Sequence, residues 1–344
     1  MRIATYNVEW FTNLFDRDGR LMEDQGWSAR HNVTRADQLA ALGTVFAAMD
    51  ADAVMIVEAP DDNRRHHTVE MLEAFATRFD LRTRKALIGF PNETQQEIAL
   101  LYDPAVLSAV HDPIGLPEQS IEGVSSPRFD SSYRIDLDID NTLDVVRFSK
   151  PPLEVAATAR KSGRQFRMIG VHVKSKAPHG ATGEAQIRRL AIENRRKQLA
   201  QCIWLRHRVE EHLRAGDSLM VMGDFNDGPG LDEYEKLFGH SGVEIVMGLD
   251  GPPELQLYDP HARLAFSKRQ VVMPSTARFY LDDQGRFFSA LLDYLMVSPD
   301  LAARKPRWRI WHPFDDPAIY ATPDLREALL TASDHFPVSI DIDL

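Results

Sequence analysis

The 344-residue chain has one cysteine, Cys202, and no apolar run approaching the roughly 18 residues of a membrane span. The first scarcity excludes an intrachain disulfide and fits a reducing compartment, so a cytoplasmic location is expected. The second excludes an integral membrane helix, and the opening MRIATYNVEWF reads as a first strand rather than a signal peptide. Cysteine and histidine nowhere combine at zinc spacing, which removes a structural zinc site. Repeats, low-complexity tracts and linkers are also missing, so residues 1–344 are expected to form one domain. Cys202 lies in a helical stretch, where it is expected to pack as a small apolar residue. Net positive charge is lacking too, since the formal charge of −11 would repel nucleic acid or an anionic membrane at long range.

That charge is uneven. Between Arg160 and Arg214 there are 14 Lys and Arg against 4 Asp and Glu, so an anionic ligand could still meet a basic face. The competing reading is a charged helix surface, because RRLAIENRRKQLAQCIWLRHRVEEHL has a helical period.

What the chain does contain is 44% apolar residues, arranged in short runs rich in Val, Ile and Leu that alternate with helical patterns. ADAVMIVEA, EIALLYD (97–103), LEVAATA (153–159), FRMIGVHVKSK (166–176), LMVMGDFND, LLDYLMVS (291–298) and VSIDIDL (338–344) read as strands. TRADQLAALGTVFAAMD (34–50) and HTVEMLEAFATRF (67–79) have the period of amphipathic helices. Strands mixed with a few long helices predict sheets with helices outside. The Pro-, Ser- and Asp-rich stretch at about 111–150 is expected to be an irregular insertion, long enough to cover a site.

Four strand-like segments finish in acids or amides: YNVEW (6–10), IVEAP (56–60), MGDFND (222–227) and SDHFP (333–337), with LLDYLMVS as a fifth. One such ending means little, because Asp and Asn favour turns. Together they would crowd oxygen ligands on one rim, which at neutral pH calls for a hard divalent cation such as Mg2+, with Mn2+ as the alternative. Asp334 and His335 are adjacent, so on an extended segment they point to opposite faces and serve different tasks.

The set Asn7 and Glu9, Glu58, His172, GDFND with Asp224 and Asn226, Asp293, and SDHFP resembles the endonuclease/exonuclease/phosphatase superfamily, whose motifs follow in the same order from residue 5 to residue 337. The resemblance implies an α/β fold, a four-layer sandwich of two packed mixed β-sheets flanked by helices. It implies metal-side residues Asn7, Glu9, Glu58 and Asp334. It further implies that Asp224 and Asn226 orient water and bind the transition-state phosphate, and that His335 is the catalytic histidine oriented by Asp293. His172 corresponds to a phosphate-contacting or proton-donating residue. The chain departs from the pattern at Val57, where many relatives have Gln, which affects a contact to Glu58 and not the ligand itself.

On a strand, His172, Lys174 and Lys176 of HVKSK would share one face, so the two lysines are expected to hold substrate phosphate. Arg30, Arg35 and DDNRRHH (61–67) could touch substrate or be solvated loop charges. The resulting expectation is a metal-dependent, nuclease-like phosphodiesterase acting on nucleic acid or another phosphoester, with no protein partner. Its rivals are a phosphatase or phosphodiesterase of small, inositol or lipid phosphoesters, and a catalytically silent binding protein on the same fold.

Overall fold

A computed structural model describes residues 1–92, 95–117, 120–121, 126–135, 144–177, 180, 182–228, 239–267, 273–281 and 285–344. Two large sheets dominate. The first has the spatial order Arg307–Ile310, Val338–Asp341, Arg2–Asn7, Ala53–Ala59, Glu97–Tyr102, Lys85–Ile88. The second has the order Asp293–Val297, Leu219–Asp224, Gln165–His172, Leu153–Ala159, Leu107–His111. Each contains one parallel pair at its centre, Arg2–Asn7 with Ala53–Ala59 and Gln165–His172 with Leu219–Asp224, while the remaining pairs are antiparallel.

Strand alternation builds three stacked cores. Ile3, Met55, Leu100, Met168, Met220, Met222, Leu295 and Ile340 point between the two sheets. Their neighbours Ala4, Tyr6, Val54 and Ile56 point outward against the helices Arg35–Met49, Thr68–Arg78 and Pro323–Ala332. On the opposite outer face Ile169, Val171, Val221 and Met296 meet Leu205, Trp204 and Val209 of the Glu184–Ala215 helix. Both faces of each central strand are therefore buried, which is why the strands read as continuous apolar runs. The result is the expected sandwich of helices, sheet, sheet and helices. Gly170 leaves room between the sheets for Met55, since a Cβ there would collide with the Met55 side chain.

Helix ends follow local chemistry. Thr34 caps Arg35–Met49 by accepting from the Asp37 amide, and Leu39, Leu42, Val45, Phe46 and Met49 then fall on one buried stripe. Cys202 is buried and its thiol is pushed up by burial, consistent with packing rather than reactivity.

The stretch at 111–150 lies partly outside the described residues; among those described, short strands accompany the irregular backbone. Ser120–Ile121, Tyr133–Ile135 and Asp144–Val146 form a small sheet. Phe129, Tyr133, Val146 and Phe148 pack on the Glu184–Ala215 helix, where Trp204 forms ring contacts with Phe129, Tyr133 and Phe148 at 5.1–5.6 Å. Apolar residues scattered without a clear period concealed this in the sequence.

Candidate active site

Strand register gathers the site. His172 is the lateral partner of Asp224, and Asp224 of Asp293, so three chemistry-bearing residues stand side by side on one rim of the second sheet. Asn7 ends the first strand of the other sheet and reaches across, its Nδ2 donating to Asp224 Oδ2 at 3.1 Å. Gly223 is required just before Asp224. Its φ is 135°, and a Cβ would strike the Val171 carbonyl.

Asp224 is buried and heavily restrained. Oδ1 accepts from the Asn226 amide at 2.7 Å and Oδ2 from Asn226 Nδ2 at 3.1 Å. Asn226 has φ 48°, a left-handed conformation that asparagine tolerates better than most residues, and its Nδ2 also donates to the Val173 carbonyl. Burial, and then nearby Asp293 against the pull of His335, raises Asp224 to about 7.

His335 Nδ1 lies 2.7 Å from Asp293 Oδ2, and both side chains are buried. Burial works against a charged imidazole, but the Asp293 carboxylate, aided by Asp334 and Asp224, raises His335 well above the ordinary histidine range. The SDHFP segment precedes the last strand rather than belonging to it, and Ser333 fixes its turn. Ser333 Oγ donates to the Asn7 carbonyl at 2.8 Å and accepts from the His335 amide at 3.1 Å. Thr276 Oγ1 accepts from the backbone amides of Leu292 and Asp293, securing the other half of the pair.

The acidic side is organised by a residue whose sequence reading was open. Arg30 is buried, pairs with Glu9 and lies 4.0 Å from Asp334 Oδ1. Arg35, the other ambiguous arginine, instead pairs with Asp24. Even with Arg30 present, burial and Asp334 raise Glu9 to about 8. Glu58 sits in a break of strand register between Val57 and Ala59 with φ 60°, which turns its carboxylate out of the ladder. Gln96 Nε2 donates to Glu58 Oε2 at 2.6 Å, so an amide contact is provided although residue 57 is valine.

The donor set fits a divalent cation. Asn7 Oδ1, Asp293 Oδ1 and Asp334 Oδ1 are buried acceptors without a hydrogen-bond partner, and burial with neighbouring Asp334 holds Glu9 against its ordinary ionisation despite Arg30. Among the described residues Asp224, Asp293 and His335 form the one Asp/Glu/His/Cys group with ligand atoms within 4.8 Å of one another. The Asp293–His335 hydrogen bond already occupies two of these, and Glu9, Glu58 and Asp334, expected from the sequence on the metal side with Asn7, are not grouped at that spacing.

Lys150 was not foreseen. Its Nζ donates to Gln96 Oε1 at 2.7 Å and stands 3.2 Å from His172 Nδ1, so the Gln96 amide and Lys150 link Glu58 to the histidine. An ammonium can only donate, so His172 Nδ1 accepts and the proton resides on Nε2. Burial and then Lys150 hold His172 well below its usual range, leaving a neutral Nε2–H donor 3.7 Å from Asp224 Oδ2. The only signal in sequence was a lysine ahead of two prolines.

The expectation of one cationic face on HVKSK is corrected, since the strand ends at His172. Lys176 Nζ pairs with buried Asp227 at 2.7 Å, alongside Arg195 at 2.8 Å. Lys174 lines a neighbouring cleft of about 720 Å3 with Arg147, Ser149, Arg196 and Lys197. Much of the basic stretch is likewise engaged internally: Arg195, Arg206 and Arg208 are buried, and Arg167 pairs with Asp112.

The sequence matches the Endonuclease/Exonuclease/phosphatase family over residues 4–335. The chain belongs to that family, whose members are hydrolases of phosphoester bonds. Its structure is similar to an AP endonuclease from Archaeoglobus fulgidus, with a TM-score of 0.50, 15% identity and 100% of both chains covered. It is also similar to a mannosyl-6-phosphatase from Bacteroides thetaiotaomicron (TM-score 0.49, 14% identity, 100% of both chains). TDP2 of D. rerio, complexed with a single-strand DNA product, has a TM-score of 0.48 at 12% identity, covering 100% of this chain and 99% of that one. No curated protein matches the sequence significantly.

Proposed function

We propose that this protein is a divalent-metal-dependent phosphodiesterase of nuclease type. The observation that carries the proposal is the buried His335–Asp293 pair, 2.7 Å apart, set beside Asp224 with its two asparagine partners. A scissile phosphate lies among His335, His172 and Asn226. Asp224, raised to about 7, takes the proton of the attacking water, for which a group poised near neutrality is suited. Two amides and a backbone N–H hold its oxygens in place. His335, charged and oriented through Nδ1, presents Nε2 to the phosphoryl oxygens, while neutral His172 offers its Nε2–H. Water forms the new P–O bond, the ester P–O bond breaks with its electron pair on the leaving oxygen, and that oxygen takes a proton from solvent to leave as the alcohol while Asp224 returns its proton to solvent.

Asn7, Glu9, Glu58 and Asp334 would hold Mg2+ or Mn2+, which when bound polarises a phosphoryl oxygen and stabilises charge on the leaving group. Lys174 supplies a cation for a phosphate flanking the scissile one. Lys176 is held by Asp227, and we give it no such role.

A hydrolysis panel covering DNA, RNA, nucleotides, inositol phosphates and phospholipid head groups, with Mg2+, Mn2+ or EDTA, tests the proposal. Metal-dependent cleavage of oligonucleotides supports it. Hydrolysis confined to small or lipid phosphoesters overturns the nuclease reading.

A further inference from the structure

An antiparallel hairpin, Ala277–Leu281 with Arg286–Ala290, projects beside the catalytic pair. It is fastened to both halves of that pair. The Arg278 amide donates to the Asp334 carbonyl at 2.7 Å and Ala277 bridges His335, while the second strand runs directly into Leu291, Leu292 and Asp293. One face of the hairpin is closed by Ala277, Ala290 and Leu292 with Phe279 and Phe288.

The other face is aromatic and open. Tyr280 and Phe287 are cross-strand partners with rings 5.2 Å apart, and they remain 42% and 51% exposed. Phe314, 44% exposed, approaches from a different segment. Arg278 lies over the Phe287 ring at 3.6 Å and the Phe314 ring at 5.4 Å. Among the described residues it has no carboxylate partner, in a chain with a surplus of acid. His31, next to Arg30, stacks on Tyr280 at 6.2 Å and joins this face to the acidic side of the site. Exposed rings grouped around an unpaired cation favour a ligand with both a flat apolar face and negative charge.

We propose that this hairpin is a stacking platform for an unpaired nucleobase adjoining the scissile phosphate, with Arg278 held for a neighbouring phosphate. The substrate class is therefore single-stranded nucleic acid. The inference rests on the nuclease reading above. A sugar phosphate has no π-face to use the rings, and a paired base in a duplex keeps its faces stacked on its neighbours. Base–aromatic stacking tolerates any sequence, so the platform selects strandedness and not sequence.

Fluorescence anisotropy in EDTA tests this, with a labelled single-stranded oligodeoxynucleotide, its duplex and an equally long chain of abasic tetrahydrofuran units as probes. Phe287→Ala, a surface change whose fold is checked by circular dichroism, should weaken binding of the base-bearing strand about tenfold and leave the abasic chain unaffected. Arg278→Ala should weaken both single-stranded probes. Equal Phe287→Ala effects on base-bearing and abasic chains, or none on either, overturn the platform. If Mg2+-dependent oligonucleotide cleavage persists in that case, the nuclease reading stands alone. If the wild type neither binds nor cleaves any oligonucleotide, both fall.

Discussion

Asp293→Asn removes one charge from the site while keeping nearly the same shape, so its effect can be worked from the geometry. His335 and Asp293 meet at 2.7 Å with both side chains buried. Breaking a buried charge pair costs about 3–5 kcal/mol, and each pKa unit corresponds to about 1.36 kcal/mol, so His335 should lose about 2–4 units of proton affinity. Burial already disfavours its charge, and the variant histidine becomes neutral near pH 7. Turnover should fall about 10²–10⁴-fold, the worth of one positioned acid–base or electrostatic group. His335 is raised in the native protein, so the imidazolium is present at low pH and lost as pH rises through its pKa, which sets an alkaline limb, while Asp224 must be ionised to take a proton and sets an acid limb near 7. In Asp293→Asn that alkaline limb moves to lower pH. Initial rates between about pH 5 and 9, together with His335→Ala and the double variant, provide the assay. Because the pair acts as a unit, the double variant should lose little more than His335→Ala alone. Multiplicative losses, or an alkaline limb that does not move, would refute the reasoning.

Lys176→Ala should lower stability by about 1–3 kcal/mol by removing a cation from buried Asp227, whereas Lys174→Ala should leave it nearly unchanged, and urea denaturation distinguishes the two. Gly170→Ala should cost about 1–3 kcal/mol because its methyl group enters the Met55 side chain between the sheets, and no loss in urea denaturation would contradict this. Asp316 caps a short helix through the Ala318 and Ile319 amides and pairs with Arg309; burial opposes its ionisation, but these donors hold it below the usual carboxylate range. Its contribution is therefore present above about pH 4 and lost as pH falls through the depressed pKa, so Asp316→Asn, which keeps a capping oxygen, should destabilise by up to about 1 kcal/mol near pH 7 and not at pH 2. A pH-independent difference would contradict that account.

The sandwich was legible because its central strands are buried on both faces and leave continuous apolar runs such as AVMIV and LMVMG, each ending where chemistry begins. Candidate residues at those ends could be nominated from the strand endings together with the family resemblance. Asn7, His172, Asp224 and Asp293 are set by strand register, and SDHFP by its position before the last strand. Residues supplied by irregular backbone were missed, as Lys150 was, or left open, as Arg30 was. Lys150 arrives at the end of the 111–150 stretch, and Arg30 belongs to a loop that pairs with Glu9 and is also held by the Leu330 carbonyl, 300 residues away in the chain. HVKSK misled because period-2 reasoning continued past the end of the strand at His172. The basic stretch misled because side-chain charge counts do not reveal internal partners such as Asp227 and Glu154.

The most direct test of the central claim is cleavage of a single-stranded oligonucleotide by the wild type and His335→Ala, each with Mg2+ and with EDTA. The account predicts cleavage with Mg2+, none in chelator, and a loss of at least about 10²-fold in His335→Ala with metal present. Undiminished cleavage in EDTA, or a His335→Ala variant as fast as the wild type, would contradict it.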